Sequence, residues 1–267
     1  MKSILHFSDI HFGAAQAPNW SYAIIEEIER RKPTVVAVSG DLTQRARSHQ
    51  FRQAREFLDR INAPLVVVPG NHDVPLWNLF ARFSSPLDKY RRWITRDPYP
   101  CYQDERLAVI GLDSTRSFTI KGGHICDEDL RAVRERLRRL PRKMCKVVVT
   151  HHPMALPPGF ERERAVSGAR RALKVFEECG VELILTGHLH QTYITNSSPC
   201  GPDPERSILL VQAGTAASLR GRGSEQMKNS LNLIEVSESE IKVTGYIFSD
   251  RENRFILAVT HHSPRLI

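Results

Sequence analysis

Along the first two thirds of the chain, short unbroken apolar runs alternate with longer stretches in which apolar residues recur every three or four positions. The runs at 4–7, 34–38, 65–68, 107–112, 146–150 and 181–185 predict strands. They are continuous rather than alternating, the pattern of strands covered on both faces of a parallel sheet. Between them lie amphipathic helices at about 19–31, 48–61, 127–140 and 168–179. In the first, Trp20, Ile24 and Ile28 form a stripe that Ala23 and Ile25 widen, and Pro33 ends it. In the second, Phe51, Ala54, Phe57, Leu58 and Ile61 share one side. Asp127 is the expected N-cap of the third, with Leu130, Val133, Leu137 and Leu140 inward. Strand–helix–strand repetition implies parallel pairing and right-handed crossovers. After Gln191 the helices stop, and strands at 192–196, 208–212, 231–236, 241–248 and 255–259 suggest a second, largely antiparallel or mixed sheet stacked on the first. Turn-rich stretches at 197–202 and 220–230 read as exposed loops, and no linker, repeat or low-complexity tract divides residues 1–267. The expectation is one domain.

The stretch 74–103 breaks the rhythm. It carries Pro75, Pro86, Pro98 and Pro100, with aromatics from Trp77 to Tyr102 and cations from Arg82 to Arg96. Short helices at 76–83 and 88–95 fit it. A packed helical insertion accounts for most of the aromatics, and a lid or substrate wall for some of the cations.

Polar residues gather where the apolar runs end. Asp9 and His11 follow the first, two apart, so that both point one way on an extended chain. Asp41 follows the second after Gly40; Asn71, His72 and Asp73 follow the third after Pro69 and Gly70. His151 and His152 follow the run at 146–150, and His188 and His190 the run at 181–185. In a doubly wound half-sheet such ends lie side by side, and ligands bind outside them. Carboxylates packed this closely repel, and one or two divalent cations resolve the conflict. Mixed nitrogen and oxygen donors suit Mn, Fe, Zn, Co or Ni rather than Ca. Seven donors fill two four-coordinate sites if Asp41 bridges. Two cations about 3.5–4 Å apart suit in-line attack at phosphorus by a hydroxide that the cations generate from water. A neighbouring imidazole then protonates the leaving oxygen. His72 fits that role, with Asp73 placed to orient it, and His152 is a lesser candidate for contact with substrate.

Charge and composition bear on the partner. The 267 residues carry a net charge of +8, which raises the prospect of an anionic partner, nucleic acid included. Arg131, Arg134, Arg136, Arg138, Arg139, Arg142 and Lys143 lie along one predicted helix and its exit, with acids interspersed, and a solvated helix face describes them best. The five cysteines (Cys101, Cys126, Cys145, Cys179 and Cys200) are odd in number and show no CxxC spacing, so neither a disulfide framework nor a zinc finger is indicated, and they read as free thiols. No run approaches the ~20 apolar residues of a membrane span, and the first residues do not form a signal peptide. A soluble cytoplasmic protein, with no membrane partner, is expected.

Taken together, the blocks Asp9-x-His11, Gly40-Asp41, Gly70-Asn71-His72-Asp73, His151 and Gly187-His188-x-His190 resemble the calcineurin-like metallophosphoesterases. Each block is weak alone; five in this order are specific, and they span residues 1 to about 191. The resemblance implies a four-layer αββα sandwich of two mixed β-sheets flanked by helices. It assigns Asp9, His11 and His190 to one metal and Asn71, His151 and His188 to another, with Asp41 bridging and His72, paired with Asp73, catalytic. The His152-Pro153 continuation and the compact length resemble the cyclic-nucleotide phosphodiesterase branch. The opening 4–13 also resembles the DNA-repair exonuclease branch, whose extra capping domain this chain is short for. His72 departs from the branch that cleaves UDP-diacylglucosamine, where Arg is usual. Three readings follow: a phosphodiesterase for cyclic nucleotides or similar small diesters, with Mn the leading metal; a Mn-dependent DNA nuclease; and a metal-binding scaffold without turnover, against which the full donor set argues.

Overall fold

A computed structural model describes residues 1–17, 19–198 and 207–265. The N-terminal half builds β1 (Lys2–Phe7), α1 (Trp20–Arg31), β2 (Val35–Val38), α2 (Ser48–Leu58) and β3 (Leu65–Val67). Two six-residue helices, α3 (Leu79–Ser84) and α4 (Asp88–Trp93), lead to β4 (Cys101–Gln103). There follow β5 (Leu107–Gly111), α5 (Asp127–Arg139), β6 (Cys145–Val149), α6 (Ala169–Glu178) and β7 (Val181–Thr186). Five further strands close the described chain: β8 (Tyr193–Asn196), β9 (Leu209–Gln212), β10 (Ser230–Val236), β11 (Glu240–Ser249) and β12 (Arg254–Pro264).

The strands form two sheets of six, ordered β12-β11-β10-β1-β2-β3 and β4-β5-β6-β7-β9-β8. The middle of each is parallel: β1, β2 and β3 in the first, β5, β6, β7 and β9 in the second. Antiparallel strands complete each sheet. This is the expected pair of mixed sheets, with one correction to how the chain fills them. The strands after Gln191 do not make a sheet of their own: β8 and β9 extend the second, while β10 to β12 attach to the first through β1. Register explains it. β10 pairs Leu233 with Leu5 and Ile234 with Ile4, so its apolar residues continue both faces of β1.

Three apolar layers hold the four-layer stack. Leu5, Phe7, Val36 and Val38 pack under α1 and α2. Ile4, Val35, Ala37 and Val66 meet Val109, Val147, Val149 and Leu183 between the sheets. Ile110, Val148 and Ile184 pack under α5 and α6. Alternate residues of one strand thus serve different layers, as a period of two requires, and covering both faces explains the unbroken apolar runs.

Local expectations need adjusting at several points. The N-cap of α5 is Cys126, whose sulfur accepts from the Asp129 amide, and Asp127 is the first helical residue. Helix α2 stops at Leu58, although Ile61 remains buried. β12 runs five residues further than its apolar stretch because it pairs along the whole of β11. In the insertion, Tyr90 is core, but Trp77, Phe80 and Phe83 are exposed. Arg82 is instead the buried one, donating to the carbonyls of Pro75, Ser117 and Thr119. Of the five cysteines, Cys101, Cys126, Cys145 and Cys179 are free thiols. Cys200 lies outside the described residues, as does most of the predicted 197–202 loop. Among the described residues, no helix is long and apolar enough to cross a membrane.

Candidate metal centre

The loops that follow β1, β2, β3, β6 and β7 meet at one end of the molecule, where the carboxyl ends of the parallel strands of both sheets face each other. The five strand ends therefore come from two opposed sheets, three from one and two from the other, and not from one half-sheet. Backbone amides crossing between the loops set the carboxylates. His188 N donates to Asp9 Oδ2 at 2.9 Å, joining the two sheets, and His72 N donates to Asp41 Oδ1 at 2.8 Å.

Close approach has a backbone cost. Asp9, His11, Asp41, His188 and His190 all adopt positive φ, from 51° to 75°. For residues with a Cβ this left-handed region is sparsely populated and each instance is strained. Five of the seven expected donors carry it. Gly70 and Gly187 supply the remaining room: a Cβ on Gly70 would overlap the Asp41 carboxylate, and one on Gly187 the Asp9 carboxylate and Ser8.

Two clusters of donor atoms result. In the first, His190 Nε2 stands 3.2 Å from Asp9 Oδ1 and 3.2 Å from His11 Nε2. His11 Nε2 lies 3.6 Å from Asp9 Oδ1 and 3.7 Å from Asp41 Oδ2. In the second, Asn71 Oδ1 lies 3.1 Å from His151 Nε2 and 3.0 Å from His188 Nδ1, and those nitrogens are 3.3 Å apart. His151 Nε2 is 3.5 Å from Asp41 Oδ1. Asp41 thus turns one oxygen to each cluster.

Tautomers decide what these clusters can hold. His151 Nδ1 donates to the Ser39 carbonyl at 2.7 Å, and His190 Nδ1 to the Arg220 carbonyl at 3.1 Å. In the neutral ring each Nε2 is then a bare lone pair. Those lone pairs face other acceptors: Asn71 Oδ1 and Asp41 Oδ1 on one side, Asp9 Oδ1 on the other. Asp9 Oδ1 is buried with no hydrogen-bond donor among the described residues. Acceptor opposed to acceptor in a buried site requires a positive charge between them, and this donor set fits divalent cations. The electrostatics agree. Burial works against a charged His151, yet Asp41 and Asp9 outweigh it and raise its pKa. Burial holds His11 down to about 4 and His188 down to about 3, so both rings are neutral near pH 7.

His72 and Asp73 part company here. The His72 ring stands edge-on to His11, centroids 4.8 Å apart, and its Nδ1 donates to the Gln44 carbonyl at 2.9 Å. Asp73 does not orient it. The Asp73 carboxylate accepts from the amides of Leu42, Thr43 and Gly70 and from the Thr43 hydroxyl, tying the loop after β3 to the loop after β2. Burial, then the Asp41 charge, pushes its pKa up to about 7, while the amides of Gly70, Thr43 and Leu42 pull it down. His152 also has a different task. Its Nδ1 accepts from Ser114 Oγ at 2.8 Å and its Nε2 donates to the Lys121 carbonyl at 3.1 Å. Although it lies within ligand distance of His151 and His188, neither nitrogen is spare, and the residue positions the 114–121 loop.

A cavity of ≈ 210 Å³ opens beside His72 and Asn71, lined among others by Arg45, Lys121 and Arg220. None of these three cations was singled out from the sequence. They sit on separate loops with no shared spacing, and only folding brings them to one wall. The arginines that end α5 are elsewhere. As a crossover helix between parallel β5 and β6, α5 starts at the site end and finishes at the far end, where Arg136, Arg138 and Arg139 lie in its last turn. Arg134 pairs with Glu178 of α6 at 3.2 Å.

Comparison with known proteins identifies the family and the fold. The family model for calcineurin-like phosphoesterases matches residues 2–192. A probable cyclic nucleotide phosphodiesterase of Synechococcus is 23% identical over 207 residues, 72% of this chain and 74% of the relative. A glycerophosphodiester phosphodiesterase of Enterobacter lignolyticus is 23% identical over 203 residues, 72% of each. Among solved structures, the purple acid phosphatase of yellow lupin superposes with a TM-score of 0.72 at 13% identity, a likeness of fold. It covers 97% of this chain, which spans about half (53%) of that larger protein.

Proposed function

Since this chain belongs to the calcineurin-like phosphoesterase family, we propose that it is a two-cation phosphodiesterase acting on cyclic nucleotides or similar small diesters. The observation that carries this reading is Asp41, whose two oxygens face two separate donor clusters. Asp9, His11 and His190 would hold one divalent cation and Asn71, His151 and His188 the other, with Asp41 shared. When bound, such cations supply positive charge to the phosphoryl oxygens and acidify water. Mixed imidazole, amide and carboxylate donors make Mn the first metal to assay, with Fe, Zn, Co and Ni next.

The protein's own groups do the rest. Arg45, Lys121 and Arg220 present positive charge to a diester entering the cavity. His72, held by the Gln44 carbonyl through Nδ1, has Nε2 free to carry a proton to the leaving oxygen. The volume of ≈ 210 Å³ suits one small diester. A DNA nuclease finds less support, because the arginines that end α5 lie away from the strand ends that carry the donors. The two curated relatives act, by name, on cyclic nucleotides and glycerophosphodiesters, which makes those the substrates to compare.

The test is hydrolysis of bis(p-nitrophenyl) phosphate with Mn, then cyclic AMP against single-stranded DNA. Turnover of cyclic AMP supports the proposal. Preferential nicking of DNA that weakens steeply with salt would replace it with the nuclease reading. No turnover with any of Mn, Ni, Co, Fe or Zn would leave a scaffold.

A further inference from the structure

Beside the cavity stands an apolar surface that catalysis does not use. Trp77, Phe80 and Phe118 are 79%, 83% and 88% exposed, and Leu79, Phe83 and Ile120 are exposed around them. They come from two segments locked together. Arg82, only 5% exposed, donates to the carbonyls of Ser117, Thr119 and Pro75, and Phe83 packs on Phe118 with centroids 5.3 Å apart. Asn71 Nδ2 donates to the Ile120 carbonyl at 3.2 Å, fixing this surface to the site. Burying a guanidinium to hold aromatic rings out in solvent is the reverse of ordinary folding. Exposed apolar patches of this extent mark an interaction face.

Charge tells which partner fits. Residues 74–87 and 114–125 contain no Asp or Glu. Arg45, Lys121 and Arg220, at the adjoining cavity, are exposed and have no acidic partner among the described residues. Among the described residues, no acidic side chain lines that cavity. The partner is therefore both apolar and anionic. A second copy meeting face to face would set like charges together. One small ligand cannot cover six large side chains on two segments. We propose that this face docks on an anionic lipid surface, with the aromatic side chains entering the headgroup layer and the positive field of the cavity drawing the face to the lipid phosphates, so that the cavity opens toward the membrane. Apolar insertion combined with cationic attraction is the physics of interfacial anchors. This docking does not depend on the site being a diesterase.

The experiment is sedimentation of the full chain with phosphatidylcholine vesicles, with and without phosphatidylglycerol. Binding is expected with phosphatidylglycerol only, and it should weaken as salt is raised. The triple variant Trp77→Ser, Phe80→Ser, Phe118→Ser should bind about ten-fold or more weakly while keeping its melting temperature. A control with Tyr22→Ser and Leu257→Ser, exposed apolar residues elsewhere, should bind like the parent. No sedimentation with either vesicle would overturn the proposal, as would equal binding by the triple variant. So would a dimer in light scattering that the triple variant dissociates, which would show a second copy on this face.

Discussion

Asp73 and His72 are neighbours with separable roles, and substitution should separate them. Four donors converge on the Asp73 carboxylate. Asp73→Asn turns an amide NH2 toward some of those donors, leaving buried groups unpaired at a cost of about 1–3 kcal/mol. The expected outcome is a lower melting temperature with turnover per folded molecule largely kept at low temperature. An unchanged melting temperature with lost turnover would restore Asp73 to the orienting role expected of it. His72→Ala should do the opposite: about 100-fold lower kcat, with bound metal by elemental analysis and the melting temperature close to the parent. Loss of metal in that variant would make His72 a ligand. From the sequence, the adjacency of these residues invites a pairing. The fold denies it, because a 3-10 turn over Asn71–Asp73 sends successive side chains in different directions.

The loops that end strands carry the next level. Gly70 was readable as a turn, but not as the space into which the Asp41 carboxylate fits. Gly70→Ala should therefore act on the metal centre, lowering Mn affinity by isothermal titration at least as much as it lowers stability. Normal affinity would mean that the loop shifts freely. Strand β1 gives a pH-dependent counterpart at the opposite end of the molecule. Lys2 pairs with Asp104 at 2.7 Å, where β4 turns into β5. Burial raises the Asp104 pKa, but Lys2 and the amides of Arg106 and Leu107, with the Tyr102 hydroxyl, outweigh it and hold the carboxyl well below the usual range. A folded pKa below the unfolded one adds stability above the unfolded value, ~3.9, and that stability is lost as pH falls toward the folded value. Asp104→Asn should thus lower the urea midpoint clearly more at pH 7 than near pH 2. An equal loss at both would mean that charge is not the cause.

For the molecule as a whole, the expected donors follow strands of both sheets: Asp9, His11, Asp41 and Asn71 those of the first, His151, His188 and His190 those of the second. Cations held there would bind the folded stack and not the open chain, so they should stabilise it by linkage. Mn should raise the melting temperature of metal-stripped protein, and a chelator should reverse the rise. Asp41→Ala, which removes the group facing both clusters, should abolish the rise. Stabilisation that survives Asp41→Ala would show that the clusters bind independently.

What the chain determined by itself was local and periodic. Apolar runs marked the strands of the parallel cores, and three- and four-residue spacing marked the helices between them. Each expected donor stands where a run stops. Tertiary structure decided everything that depends on contact between distant segments. It put β10 against β1 and split the trailing strands between two sheets. It gave His72 the Gln44 carbonyl as partner, spent both nitrogens of His152 on Ser114 and Lys121, and left the aromatic rings of the insertion outside while burying Arg82. Periodicity reports which face of an element avoids water. It carries no record of which other element will cover that face, or which carbonyl will meet a given nitrogen, since those are set by the packing of all the layers at once.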